Sequence, residues 1–234
     1  GIVAKSNFQS LMDHVGSGSA YDLSKRRSNL SILPPYDGKA FSSFVETIYN
    51  MHGYIEHCRE EYVLISQGNV ITNIDYTDVF DFHSKKKADI TLIYKNHAIP
   101  QGYDRPITLD VDNDGKVNQI FVKPGVVDKG VFNHAYGSIL IKKDLLMSEI
   151  RNAISVNQLD VRRLIQSSLG KYSIYAYENK GYCAAISSIN DYFEFNMDLM
   201  KKEVRDELFN PQRPIYTKVR DDAPSRYGLT SNVK

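Results

Sequence analysis

Between residues 40 and 58 the apolar side chains Phe41, Phe44, Val45, Ile48, Met51 and Ile55 return every three or four positions. That spacing gathers them on one face and predicts an amphipathic helix. The period then changes. "EYVLIS", residues 61–66, is an almost unbroken apolar run, the pattern of a central strand covered on both faces. It leads into a polar turn with Asn69 at its point, then into a helix through "DYTDVFDFHSKKKA" and a second strand, "DITLIYK". Strand, helix and strand in that order predict an α/β fold with a parallel sheet and helices on both faces.

The middle of the chain alternates. Ile107, Leu109 and Val111 are separated by polar residues, "DNDG" supplies turn chemistry, and "KVNQIFVK" returns, so an antiparallel hairpin is expected here. A strand "YGSILI", helices over 145–154 and 161–169, paired strands "YSIYAY" and "YCAAIS", and one long helix over 189–209 follow, broken by residues 210–214. Upstream, "GIVAKS" reads as an interior strand, and Ser10 and Gly16 bracket a short capped helix. "LSILPP" reads as a strand stopped by its prolines. No repeat or low-complexity tract interrupts this order.

The length of 234 residues fits one generous domain with its own core. We expect it over 1–209, with 210–234 a connector toward a further unit. Lys and Arg number 29 against 28 Asp and Glu, so no net field calls for nucleic acid or an acidic membrane. Cys58 and Cys183 are the only cysteines; such sparse usage fits a reduced, cytoplasmic chain rather than a disulfide or zinc framework. No apolar run reaches the roughly 18 residues of a membrane helix. The chain opens without a methionine or a leader, and a preceding piece is expected.

The chemical motifs are mostly weak. Asp110, Asp112, Asp114 and Gly115 have calcium-loop spacing, but Phe121 stands where the bidentate glutamate is required, so a surface hairpin is the better reading. The Gly-Ser-Gly near Gly16 lacks a third glycine and follows a helix end, not a strand. The runs "SKRR" and "SKKK" read as solvated faces. His14, His52, His57, His83, His97 and His134 show no metal-ligand frame.

Taken together, "QSLMDHVGSGSAYDL", "EYVLISQGNVITNIDY", "KADITLIYK", "IFVKP" and "RPIYTKVRDDAPSRYG" resemble glucose-1-phosphate adenylyltransferase, also called ADP-glucose pyrophosphorylase, of bacterial glycogen synthesis. The similarity spans essentially the whole chain and is strongest toward the family's non-catalytic type of subunit. It implies a Rossmann-like nucleotide-diphospho-sugar transferase fold with a mixed, mainly parallel sheet. In the family a Gly-rich nucleotide loop precedes this unit and a left-handed β-helix domain follows it, and this chain includes neither.

Active members of that family join ATP to glucose 1-phosphate with release of pyrophosphate, and two aspartates hold the Mg²⁺ that neutralises the developing phosphoryl charge. By the resemblance, Asn69 replaces the first aspartate, Ala184 an arginine and Ala185 the second aspartate. Val122, Lys123 and Pro124 replace a Glu-Lys-Pro string, leaving Lys123 as a candidate sugar-phosphate contact or a plain surface charge. Ile107 and Ala135 replace a glycine and a serine near the same pocket, and "SFVE" at 43–46 replaces Gly-Thr-Ala-Asp. A neutral amide and a methyl group are poor partners for a hard cation. The resemblance therefore implies a catalytically degenerate regulatory subunit that pairs with a catalytic subunit in a hetero-oligomer, with Mg²⁺ and ATP implied only by the family. Two rival readings remain. One is an active nucleotidyltransferase with carboxylates re-sited to Asp75, Asp78 or Glu46. The other is a sugar-phosphate or nucleotide sensor built around Lys123.

Overall fold

The computed structural model describes residues 1–4, 8–23, 30–33, 43–98, 106–122 and 131–216. Its frame is one sheet of six strands. β5 (Ile90–Ala98) lies between β8 (Val131–Lys142), antiparallel along its length, and β9 (Ile174–Glu178), parallel to it. The far edge of β8 is shared. β3 (Tyr62–Ile65) pairs with residues 139–142, and β6 (Ile107–Val111) pairs with Ala135 and His134. β7 (Val117–Val122) closes the hairpin on β6. β3, β5, β6 and β9 therefore run one way, against β7 and β8: the sheet is mixed, as the family resemblance implies, rather than the parallel sheet that the strand and helix pattern predicts.

Alternation along the strands sorts side chains onto two faces. Ile90 and Leu92 of β5 and Ile139 and Ile141 of β8 point into the main core, where they meet Val45, Ile48, Met51, Met147 and Ile150. These come from α2 (Phe44–Asn50) and α5 (Lys143–Ser155), which pack on each other, with Met51 just past α2. α3 (His52–His57) adds Ile55 and α6 (Val161–Ser167) adds Ile165 to the same side. The intervening Ile93 and Leu140 face the other way, onto Val79 of α4 (Tyr76–Lys86). The result is helix, sheet, helix. Two small pairs complete the architecture: β1 (Ile2–Val3) lies parallel to β2 (Ile32–Leu33) beside α1 (Phe8–Val15), and β4 (Val70–Thr72) lies antiparallel to β10 (Cys183–Ala185).

Several local expectations are corrected. The helix expected over 40–58 is two helices with a break at Met51, next to His52 and Gly53; glycine is a poor helix former. Residues 40–42 lie outside the described ones, and α2 starts from Ser43, whose Oγ accepts from the Glu46 amide. α1 already includes Phe8, so Ser10 lies inside it rather than capping it, while Gly16 ends it at φ 54°. β3 is half-buried, with Leu64 exposed, and among the described residues its only strand partner is β8. An apolar run reports covered faces and is silent about which edges are paired.

"YSIYAY" and "YCAAIS" do not pair with each other. β9 joins β5, and the chain then leaves the sheet at Asn179, whose amide N–H donates to Tyr94 and whose side chain accepts from Gly181. The long C-terminal helix is likewise split, into α7 (Ile189–Asp198) and α8 (Lys202–Leu208). Arg205 caps the end of α7 by donating to the carbonyls of Leu199 at 2.8 Å and Met200 at 2.5 Å. The prolines after β2 and the tail from 217 onward lie outside the described residues. No helix among those described is long and apolar enough to cross a membrane.

The hairpin turn at "DNDG" forms as expected. Asp112 accepts from the amides of Asp114 and Lys116, Gly115 takes φ 87°, and Asp114 pairs with Lys86. Two buried histidines, one on α4 and one on β8, are structural. His83 is buried and bonded through Nδ1 to Thr91 Oγ1 at 2.8 Å. His134 is fully buried, 4.4 Å ring to ring from Tyr136, and burial, aided by nearby His97, pulls its pKa down to about 3.

Two expectations follow. Ile150→Ala, which empties a fully buried site in the main core, lowers unfolding free energy by about 2–5 kcal/mol in a urea titration. His134 stays neutral in the folded chain while the unfolded chain protonates near pH 6.5, so its contribution is present above that pH and is lost on acidification. Between pH 8 and pH 5 this one group removes about 2 kcal/mol of stability. Urea titrations across that range show a steeper pH slope for the wild type than for His134→Gln.

Candidate functional site

The ends of β3 and β6, the middle of β8 and the start of α6 surround a cleft of about 600 Å³. Its apolar wall is Phe44, Ile107, Ala135, Ile139 and Ile165; its polar groups are Ser43, Gln67, Asn69, Asp160, Arg162 and Ser187. The long strand β8 is bent where the wall forms. Its register against β5 shifts between Ile93 and Tyr94, so Tyr136 and Gly137 form a bulge, a feature common beside binding sites. Gly137 has φ 77°, and a Cβ there would lie 2.3 Å from Gln67 Nε2. Only glycine suits both the dihedral and the close approach of the Gln67 amide.

Asn69 sits where the turn after β3 becomes β4. Its backbone oxygen accepts from the Ile186 amide at 2.8 Å, and its side-chain nitrogen donates to the Ile186 oxygen at 3.1 Å. One row further along, Val70 faces Ala185, then Ile71 faces Ala184 and Thr72 faces Cys183. The two positions singled out for a metal, Asn69 and Ala185, thus occupy neighbouring rows of one ladder. The sequence reading of a strand, a turn and a helix start missed β4, which is three residues long and has no alternation of its own.

Neither position is equipped for a divalent cation. The NH₂ end of Asn69 is turned to a carbonyl, and Ala185, 4% exposed, contributes a methyl group. The residues present do not supply the anionic oxygens that Mg²⁺ prefers. Among the described residues no group of three or more His, Cys, Asp or Glu side chains lies close enough to share a metal.

The carboxylates considered as substitutes do not line this cleft. Glu46 is tied to the Ser43 hydroxyl at 3.1 Å. Asp75 caps α4 by accepting from Thr77 at 2.8 Å, and that backbone bond holds its carboxyl below the usual range. Asp75 and Asp78 border a second cleft of about 620 Å³, with Tyr177 and Arg213. Cys183 is no nucleophile either, since burial pushes its thiol up to about 12.

Of the other expected positions, Ile107 and Ala135 are register partners across β6 and β8, and both line the cleft beside Ser43 and Phe44. Lys123 and Pro124 lie outside the described residues. The sequence reading missed Gln67, Ser187 and the Asp160–Arg162 pair. Asp160 caps α6 through the Arg162 amide and accepts the guanidinium at 3.0 and 3.3 Å, so the cleft's acid and base neutralise each other. An aspartate just before an apolar helical period is a readable cap; nothing local marks Gln67 as the neighbour of Gly137.

No protein-family model matches the chain. It is 32% identical over 243 residues to glycogen biosynthesis protein GlgD of Geobacillus stearothermophilus and 26% identical over 237 residues to GlgD of Bacillus subtilis. It is 28% identical over 245 residues to glucose-1-phosphate adenylyltransferase of Clostridium acetobutylicum. Each comparison covers all of this chain, which spans 59%, 58% and 63% of those proteins, respectively. Among solved structures, HddC from Yersinia pseudotuberculosis superposes with a TM-score of 0.57 over 84% of this chain and 76% of that one, at 15% identity, a likeness of fold alone. The similarity runs from one end of the chain to the other, and these curated homologues are glucose-1-phosphate adenylyltransferases and GlgD glycogen biosynthesis proteins.

Proposed function

We propose that this chain is the nucleotidyltransferase-like part of a glycogen biosynthesis protein that has lost catalysis and serves as a regulatory subunit. Residues 1–209 form that unit and 210–234 lead out of it. Its partner is an active glucose-1-phosphate adenylyltransferase, which makes ADP-glucose from ATP and glucose 1-phosphate, and the two work as a cytoplasmic hetero-oligomer. The observation that carries this reading is the Asn69–Ile186 bond beside Ala185, where the family's resemblance calls for two carboxylates. A phosphoryl transfer without a metal clamp must forgo several kcal/mol of charge stabilisation.

The cleft itself is retained, which supports a surviving role in shape rather than in chemistry. Such a subunit acts by preferring one conformation of its partner, and the gain equals the difference between its contacts with the two states. A site re-sited to Asp75 and Asp78 is disfavoured by their place on the second cleft.

The full-length protein alone is expected to form ADP-glucose from ATP, Mg²⁺ and glucose 1-phosphate at least about a thousandfold more slowly than its partner, the cost of losing several kcal/mol. Mixing the two shifts the partner's KM or effector response. Isolated activity within tenfold of the partner's contradicts the proposal. Asn69→Asp provides a second check. An ionised carboxylate cannot donate to the Ile186 oxygen, so the variant loses about 1 kcal/mol at pH 7. That deficit shrinks below about pH 4, where the carboxyl regains a proton to donate. Urea midpoints at the two pH values measure both effects; equal stability at pH 7 would show that the side-chain bond does not hold the ladder.

A further inference from the structure

The second cleft, of about 620 Å³, lies where β9, the front of α4 and the turn of the β6–β7 hairpin converge. Each of its walls is fastened. The Ala176 amide of β9 donates to the Gly115 oxygen at 2.8 Å and docks the hairpin turn on the strand. Asp78, Phe82 and Lys86, four residues apart on α4, supply one side, and Tyr177 stands edge to face with Phe82 at 5.5 Å between ring centroids. Arg213 belongs to the lining because the Asn73 side chain donates to its backbone oxygen at 2.8 Å.

Part of this lining is engaged within the protein. Lys86 pairs with Asp114 and lies 5.9 Å over the Phe82 ring, while Asp75 and Asp112 accept from backbone amides. Among the described residues, the side chains of Asp78, Glu178 and Arg213 and the hydroxyls of Tyr94 and Tyr177 form no hydrogen bond or ion pair with the protein. Both phenols hold their protons. Burial raises their pKa values, helped by Glu178 beside Tyr94 and by Asp78 and Asp75 near Tyr177. Each hydroxyl can therefore donate one hydrogen bond and accept another.

This mixture of groups selects a kind of ligand. Five carboxylates line the cleft against three cationic side chains, so a phosphate or nucleotide meets net repulsion. Among the described residues no three of these carboxylates gather to share a metal, and an amine would face Arg213. A neutral molecule rich in hydroxyls meets none of these conflicts. It donates to Asp78 and Glu178, accepts from Arg213, does both with the two phenols, and lays its C–H faces on the half-buried tyrosine rings. The volume is that of an ordinary small-molecule site. From this geometry we infer that the second cleft binds a short neutral oligosaccharide, with Asp78, Glu178 and Arg213 reading its hydroxyls and Tyr94 and Tyr177 carrying its rings. The inference uses no group of the first cleft and is independent of the function proposed above.

The test is calorimetric titration of the full-length protein with maltotriose and with cellotriose, which present their hydroxyls on a bent and on an extended backbone. At least one trisaccharide is expected to bind. Asp78→Asn and Arg213→Gln each weaken that binding about threefold or more, and the double variant weakens it at least about tenfold, as loss of charge-assisted hydrogen bonds requires. The far-ultraviolet spectrum stays that of the wild type, because neither side chain is bonded within the protein. Failure of both trisaccharides to bind overturns the inference, and so does binding that the double variant leaves unchanged. Inorganic phosphate and spermidine are titrated in parallel. Binding of either one that the double variant weakens, with no trisaccharide bound, makes the cleft an anion or amine site and overturns the inference.

Discussion

The cleft depends on one short ladder. β4 and β10 bring almost nothing to the core, yet their pairing, extended by both the backbone and the side chain of Asn69 onto Ile186, brings the turn after β3 up against the start of α7. Two carboxylates at these places would repel each other until a cation joined them. An amide and a methyl have no such conflict. The amide donates to the carbonyl across from it, and the ladder closes without an ion.

The rest of the molecule holds that ladder in place. β8 is the hinge of the design, because it alone touches β3, β5 and β6. Its alternating Ile139, Leu140 and Ile141 serve the two faces of the sheet in turn. The bulge at Tyr136 and Gly137 opens the strand just where Gln67 must pass. α2 and α6 then line the same cleft from the main-core side, through Ser43 and Phe44 and through the Asp160–Arg162 pair. The pair's own neutrality and the apolar wall leave a site suited to recognition by shape and hydrogen bonding.

Much of this was legible in residues alone, for identifiable reasons. α4 and β5 stood out because a cap, an amphipathic period and an apolar strand follow one another without interruption, and the hairpin at 107–122 because alternation and turn chemistry coincide. What escaped was non-local. The partner of β9 is set by a strand some 80 residues earlier, and Asn179 diverts the chain before a hairpin can form. The split at residues 199–201 follows from the Arg205 side-chain bonds to the carbonyls of Leu199 and Met200, which a period cannot display, and the split at Met51 falls beside Gly53. At the site, Asn69 and Ala185 were found through the family's strings, and the structure set them in adjacent rows. Gln67 and Gly137 became visible only once a bulge placed them together.

α7 shows the complementary lesson. The sequence predicts only one long helix over 189–209, and the folded chain reveals that the apolar stripe of α7 faces away from the body. For the cleft, the decisive measurement is calorimetric titration of the full-length protein with ATP in the presence and absence of Mg²⁺. The account predicts that any ATP affinity is the same in both, because no anionic oxygen at Asn69 or Ala185 joins the ion to the nucleotide. ATP binding that tightens tenfold or more with Mg²⁺ would contradict it.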